Sequence, residues 1–329
     1  MALLTWGSLV GNRYHPVMPD ELAGVFPVFQ TPFLGDDTID WECLENEIRW
    51  MHDHGVDGIV MAMVSETLRL SGKERRDLAE AACEIGLAYG PVIVSVGAES
   101  TKVAVDYALH AERSGASALM AIPPTTVPSL DDELARYYRA LLDATAAPVV
   151  IQDASGYVGA PMSIGLQAQL LDEYPGRVLF KPEAEPIGPR LTELREATGG
   201  AARVFEGSGG IALVDSYRRG VVGTMPGAEV CWALVALWAA LERGDRPRID
   251  AINGPLTALI SLQTGLDGFI AVEKHLLVRQ DVFRSARVRR PVGYRLDPET
   301  RLEVDRRFDL LREAVGGRRV GLSMSPPVG

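Results

Sequence analysis

Several classes of protein are excluded by what the sequence has little of. Cysteine occurs three times in 329 residues, at Cys43, Cys83 and Cys231, far apart and in apolar helical surroundings. That number and spacing suggest neither a disulfide framework nor a zinc site, and they fit a reducing cytoplasm. The five histidines include His52 and His54, which are two apart on a helix and so face different directions. No metal site and no cofactor is expected. Basic residues are outnumbered, 33 against 44 acidic, for a net charge of −11. An acidic surface repels phosphate backbones and anionic lipid, which argues against nucleic acid and membrane partners. Long hydrophobic runs are also missing: the longest uncharged apolar stretch, Val230 to Leu241, has 12 residues. It is too short to span a bilayer and reads as a helix apolar on every side, buried against the body or a partner subunit. Met1 to Asp20 lacks a basic opening followed by an apolar run, so it does not read as a signal peptide and a cytoplasmic location is expected.

A hydrophobic content of 47% with 33 Gly and 21 Pro describes a globular chain rather than a disordered or collagenous one. From residue 24 onward, eight short runs rich in Val and Ile alternate with amphipathic segments such as Trp41 to His54, Lys73 to Ala88 and Leu130 to Ala144. The runs are continuously apolar, as in parallel strands buried on both faces. Their spacing matches a parallel crossover unit, and eight units suit a closed (β/α)8 TIM barrel with appended C-terminal helices. The runner-up, a doubly wound sheet, would need a Gly-rich dinucleotide turn, which is absent after Val28. The expected layout is an N-terminal extension (1–23), the barrel (24–242), a C-terminal helical layer (243–315) and a flexible tail (316–329). Eleven arginines between Arg284 and Arg319 are interleaved with acids such as Asp297 and Glu303, and read as ion-paired helix faces.

In such a barrel the reactive groups sit at the carboxyl ends of the strands and on the loops that follow. The candidates, in strand order, are Gln30 and Thr31; Ser65 and Glu66; Glu99; Thr125 and Thr126; Gln152, Asp153 and Tyr157; Lys181 and Glu183; Glu206 and Ser208; and Thr224. Lysine is the rarest cation, with only Lys73, Lys102, Lys181 and Lys274 in the chain. Three of these lie on helices beside polar neighbours, where a solvated face explains them. Lys181 instead follows the apolar run Val178-Leu179-Phe180, and Pro182 is expected to end that strand's ladder. Loss of water at a strand mouth disfavours an ammonium and favours the neutral amine that attacks a carbonyl. The alternative is a structural ion pair with Glu183 or Glu185.

The order of motifs resembles the N-acetylneuraminate lyase and dihydrodipicolinate synthase family. Seven pieces carry the resemblance: Phe26-Pro-Val-Phe-Gln-Thr-Pro-Phe33, Gly55-Val-Asp-Gly58, Ser65-Glu66, Leu70-Ser71, Gly156 to Gly159, Lys181 and Gly207-Ser-Gly-Gly210. The resemblance implies Lys181 as the residue that forms an imine with a 2-oxo acid such as pyruvate, and a homotetramer or homodimer. Several positions depart from the family pattern. The Gly-Thr-Thr-Gly-Glu that holds the pyruvate carboxylate reads Ala62-Met63-Val64-Ser65-Glu66, without both threonine hydroxyls, so Ser65 and the loop amides would have to serve. The catalytic tyrosine that relays protons falls at Gln152, and glutamine is neither acid nor base. Asp153 is adjacent but alternates to the other face, and Tyr157 could offer a phenol from a new direction. Pro123-Pro124-Thr125-Thr126 lacks the tyrosine pair of the synthase branch, which lowers the expectation of lysine biosynthesis.

The expected catalytic group is Lys181 with Gln152 and Tyr157. Ser65, Glu66, Asp153, Ser208, Gly209 and Thr224 are the expected substrate ligands, and no residue is assigned to proton transfer. Glu66 reads either as an acceptor for loop amides or as a partner of Arg69, and Gly207 to Gly210 either as an anion cradle or as a tight turn. The expected function is a Schiff-base lyase, aldolase or dehydratase. The alternative is a barrel that binds a metabolite or partner without turnover.

Overall fold

The structure is a computed structural model that describes residues 22–316. Most of the expected N-terminal extension and nearly all of the tail, with Arg318 and Arg319, lie outside the described residues. Eight parallel strands alternate with helices in chain order: β1 (Gly24–Val25), α1 (Trp41–Asp53), β2 (Ile59–Met61), α2 (Gly72–Gly86), β3 (Val92–Ser95), α3 (Thr101–Arg113), β4 (Ala118–Ala121) and α4 (Asp131–Ala144). Then follow β5 (Val149–Asp153), α5 (Ile164–Glu173), β6 (Val178–Pro182), α6 (Ile187–Ala197), β7 (Phe205–Glu206), α7 (Leu213–Arg218), β8 (Gly223–Thr224) and α8 (Cys231–Glu242). The strands form two runs, β2-β3-β4-β5-β6 and β1-β8-β7. Single bridges, Val28 to Val60 and Phe180 to Val204, join the runs and close the barrel.

Strand alternation sorts the side chains into two layers. Phe26, Val60, Ile93, Met120, Val150 and Leu179 fill the lumen, while their neighbours Ile59, Ile151 and Phe180 pack outward against the helices. The lumen is thus plugged by apolar side chains, and the next inward positions on β5 and β6 are Gln152 and Lys181, which are register partners. Pro182 does not end the ladder as expected: it pairs with Asp153, and the Glu183 amide donates to the Asp153 carbonyl at 2.9 Å. The amides of even-numbered residues on β6 face β7, as Phe180 N shows by bonding Arg203 O at 2.9 Å. The N–H that Pro182 lacks therefore falls on the sparsely paired side and costs β6–β5 nothing.

After α8, the chain adds α9 (Arg246–Ile260), α10 (Gly265–Arg279) and α11 (Pro298–Val315). Helix α8 is apolar nearly all round, and Cys231, Leu234, Leu237 and Leu241 are buried. Helix α10 lies across the loops at the carboxyl ends of the strands and presents Leu266, Phe269 and Glu273, spaced three and four apart on one face, to the barrel mouth. Among the described residues no single helix is long and apolar enough to cross a membrane, and no cluster of three or more His, Cys, Asp or Glu is arranged to hold a metal ion.

Candidate active site

A cleft of about 390 Å³, counting its open mouth, lies above the apolar plug at the carboxyl ends of the strands. Lys181 and Glu183 come from β6 and its continuation. Separated by two, they share the inward face. Lys181 Nζ donates to Glu183 Oε1 at 2.7 Å, and both side chains are 4% exposed. Gln152 Nε2 donates to the other carboxylate oxygen, Oε2, at 2.7 Å. Burial raises the Glu183 carboxyl above the ordinary carboxylate range and the Glu206 charge adds to this, against the opposing pull of Lys181 and Gln152.

Gly207 explains why the pair fits. A Cβ at this position would come within 2.8 Å of Glu183 Cγ and Oε1 and 3.0 Å of Lys181 Cε. The glycine leaves room for the two side chains to meet.

The remaining walls are mostly apolar, with Met63 and Val64 on one side and Leu266 and Phe269 of α10 on another. Tyr157 lines the cleft with its ring edge-on to Phe269, centroids 5.4 Å apart. Burial, together with the charges of Glu183, Glu206 and Glu273, pushes its phenol well up from its ordinary value. Glu273 completes the rim and accepts from Gln30 Nε2 at 2.7 Å. Its carboxyl is driven up by burial and by Glu229 and Glu47, two further buried acids.

The structure therefore brings four of the expected residues, Lys181, Gln152, Tyr157 and Gly209, to one cleft. The other five expected ligands do not line it. Ser65 Oγ accepts from Ala62 N at 3.1 Å and donates to Phe29 O at 2.5 Å, which ties the second loop to the first. Glu66 pairs instead with Lys274, and its second oxygen accepts from Arg289 N at 3.2 Å. Asp153 alternates outward, accepting from Ser155 N at 3.2 Å and Met162 N at 2.9 Å. Ser208 and Thr224 are both held by Glu206, which also points outward; Thr224 Oγ1 donates to it at 2.7 Å, and Ser208 N at 2.6 Å.

Lys274 corrects a second expectation. It is 0% exposed rather than solvated, and it donates to Glu66, to Thr31 O at 2.7 Å and to Arg287 O at 2.8 Å. Arg69, considered as the partner of Glu66, lies 3.9 Å from it and pairs with Asp267 at 2.5 Å. The arginines from Arg284 onward bind partly to acids distant in the chain, with Arg287 on Asp37 and Arg289 on Glu74.

Sequence reasoning missed Glu273 and the apolar face of α10. The signal was there in Leu266, Phe269 and Glu273, a helical stripe with an acid on an apolar face. The pairing of Lys181 with Glu183 was considered only as a structural alternative, although the i, i+2 spacing at a strand end puts both on the same face.

A (β/α)8 barrel with a buried lysine at the mouth of its sixth strand is the class of protein that fold and site define together. The model of the dihydrodipicolinate synthetase family matches residues 21–309, and the chain belongs to that family. It is 28% identical to an L-2-keto-3-deoxyarabonate dehydratase of Azospirillum brasilense over 296 residues, which cover 88% of this chain and 95% of the relative. It is 30% identical to a 4-hydroxy-tetrahydrodipicolinate synthase of Thermomicrobium roseum over 241 residues, 72% of this chain and 78% of the relative. The fold superimposes on dihydrodipicolinate synthase from Rhodopseudomonas palustris with a TM-score of 0.78 at 25% identity, covering 88% of this chain and 98% of that one. It also superimposes on the 4-hydroxy-tetrahydrodipicolinate synthase of Methylacidiphilum fumariolicum with a TM-score of 0.81 at 20% identity, covering 89% and 97%.

Proposed function

We propose that the protein is an imine-forming lyase, in which Lys181 attacks the carbonyl of a 2-oxo acid and the resulting iminium draws electrons from the neighbouring carbon. Carbon–carbon cleavage or loss of water then follows at the adjacent positions. The observation that carries this reading is the buried Lys181 at the carboxyl end of β6, facing a cleft and bonded to a carboxylate at 2.7 Å. An iminium placed there lowers the energy of the carbanion developing beside it, which is the electrostatic stabilisation such chemistry needs.

The distal wall favours a substrate whose far end is neutral. Among the described residues that line the cleft, Lys181 is the one cation, and Glu183 and Glu273 are acids. A second carboxylate on the substrate would lose its water without gaining a charged partner, at a cost of several kcal/mol. This speaks against the condensation that builds a dicarboxylate in lysine biosynthesis and for cleavage or dehydration of a 2-oxo acid with a neutral tail. The name of the Azospirillum relative, a dehydratase acting on a deoxy sugar acid, is in keeping with that reading.

The experiment is a turnover screen by proton NMR with the wild type and Lys181→Ala. The panel contains 2-oxo acids with hydroxylated, alkyl and carboxylated tails. Turnover of neutral-tailed acids by the wild type alone supports the proposal. Turnover that survives in Lys181→Ala overturns the imine chemistry. A tightly bound panel member that is never transformed would favour a binding barrel.

A further inference from the structure

The proton-transfer group of this chemistry has to be found in the cleft, because the position opposite Lys181 on β5 is held by Gln152, which can neither give nor take a proton at working pH. Burial and the nearby acids push the Tyr157 phenol up from its ordinary value, which makes it a poor proton acceptor. Glu273 hydrogen-bonds Gln30 rather than the lysine. Among the described residues, one group lies within hydrogen-bond reach of the reacting nitrogen and can ionise: the Glu183 carboxylate, 2.7 Å from Lys181 Nζ.

We infer that Glu183 is a catalytic residue that moves the protons of imine formation at Lys181, through Oε1, while Gln152 holds the carboxylate in place through Oε2. This rests on the imine reading given above.

The steps balance as follows. The lysine ammonium gives one proton to the Glu183 carboxylate, which leaves a neutral amine and a carboxylic acid. The amine nitrogen forms a bond to the carbonyl carbon, and the carbonyl π electrons move to oxygen, which takes the proton from Glu183. The nitrogen, now cationic, returns a proton to Glu183 and becomes the amine of a carbinolamine. Glu183 then protonates the carbinolamine hydroxyl. The carbon–oxygen bond breaks with its electron pair leaving on water, and the nitrogen lone pair forms the iminium. Glu183 ends as a carboxylate beside a cation, the charge arrangement it started with.

The environment suits the task. Burial penalises the separated charges of the ground-state pair, so the proton shift onto the carboxylate costs less than it would in water. Gln152 fixes the carboxylate plane and Gly207 keeps the space above it free. The charged and titratable groups that share the cleft with Glu183 are Lys181 on its own strand, Tyr157 on the loop after β5 and Glu273 on α10; Glu206 on β7 points outward, but its charge still raises the Glu183 carboxyl. Of these, Lys181 alone lies at hydrogen-bond distance from its carboxylate.

The test is the rate at which a borohydride-reducible adduct forms on the protein, read as intact mass in quenched time points. The probes are pyruvate and the 2-oxo acid panel, from about pH 5 to about pH 9. The wild type should show a rate that rises with pH along a limb above the ordinary carboxylate range. Glu183→Gln should form the adduct at least about 100-fold more slowly, with that limb gone. Glu183→Asp, which keeps the acid but shortens its reach, should fall between them and keep a limb. Circular dichroism establishes that each variant is folded, and if Glu183→Gln is not, a displaced limb in Glu183→Asp carries the test.

A Glu183→Gln protein that reacts at the wild-type rate with the limb intact overturns the role of Glu183 and leaves the imine reading standing, as does an unmoved limb and rate in Glu183→Asp. A wild type that forms no adduct with any probe overturns both.

Discussion

Gln152 on β5 and Glu183 beyond β6 are joined by a buried hydrogen bond of 2.7 Å, Nε2 to Oε2, which fixes the carboxylate that Lys181 touches with its other oxygen. Removing the amide leaves a buried carboxylate oxygen without a donor. The Gln152→Leu variant should therefore be about 1 to 3 kcal/mol less stable than the wild type. The loss should depend on pH. The folded protein holds the Glu183 proton more tightly than the unfolded chain does, so this group's contribution is favourable at low pH and is lost as pH rises through its folded value. Without the amide, the carboxylate is held still less well. Urea denaturation should show a larger loss in alkaline than in mildly acidic buffer, and an equal loss at both would contradict the assignment.

A second prediction concerns the buried acids whose charges act on Glu273. Glu229 is 1% exposed and its carboxyl is raised from 4.5 to about 7, mainly by burial. Among the described residues its Oε2 has no hydrogen-bond partner, and neither has Oε2 of the buried Glu47. Because the folded state binds this proton more tightly, stability falls as pH rises between the ordinary carboxylate value and about 7. Glu229→Gln should leave stability near wild type in mildly acidic buffer and raise it by about 1 to 3 kcal/mol in mildly alkaline buffer. Melting curves across pH read this directly. A variant less stable than the wild type under alkaline conditions would show that the carboxylate has a compensating cation.

Much of the architecture was legible because strand burial and helix periodicity are local. Continuous Val and Ile runs such as Val92–Ser95 announced strands buried on both faces, and the lysine at the end of Val178-Leu179-Phe180 announced the mouth of the sixth. The first and eighth strands are only two residues long each, Gly24–Val25 and Gly223–Thr224. There the positive-φ Gly24 and the small Gly223 let two backbones approach in a way no side-chain pattern reveals. The site was half legible. Lys181, Gln152 and Tyr157 follow from strand ends, whereas Glu273 arrives from α10, more than 90 residues further along the chain. That placement depends on how the appended helices cross the barrel mouth. Asp153, Glu66, Ser208 and Thr224 were expected at the right end of the barrel. They face away because alternation and loop capping, rather than position in the chain, decide where a side chain points.

Gly207 supplies a third prediction. The added methyl of Gly207→Ala would press on Glu183 and Lys181 at about 3 Å, a separation that requires one of them to move. Turnover or adduct formation should fall at least tenfold, since displacing a reacting group by a fraction of an ångström is costly. The fold should survive, with a loss of about 1 to 3 kcal/mol in stability. Wild-type activity in a folded Gly207→Ala protein would argue against the Lys181–Glu183 contact.

The buried pair Lys274–Glu66 is structural, and a fourth prediction separates it from the site. Glu66 has a left-handed backbone with φ 57°, and its carboxylate is satisfied by Lys274 and Arg289 N. Lys274→Met should cost about 3 to 5 kcal/mol by leaving a buried carboxylate short of its cation. Adding Glu66→Gln should recover part of that loss. A double-mutant cycle by chemical denaturation measures the coupling, and a coupling near zero would contradict the pairing.

The measurement that bears most directly on the account locates the covalent bond. The protein is incubated with the 2-oxo acid panel, reduced with borohydride, digested and mapped by tandem mass spectrometry. The account predicts one secondary amine on the peptide spanning Val178 to Glu183, at Lys181, and none at Lys73, Lys102 or Lys274. A stable adduct on another lysine, or none on a folded protein that still turns over a 2-oxo acid, would contradict it.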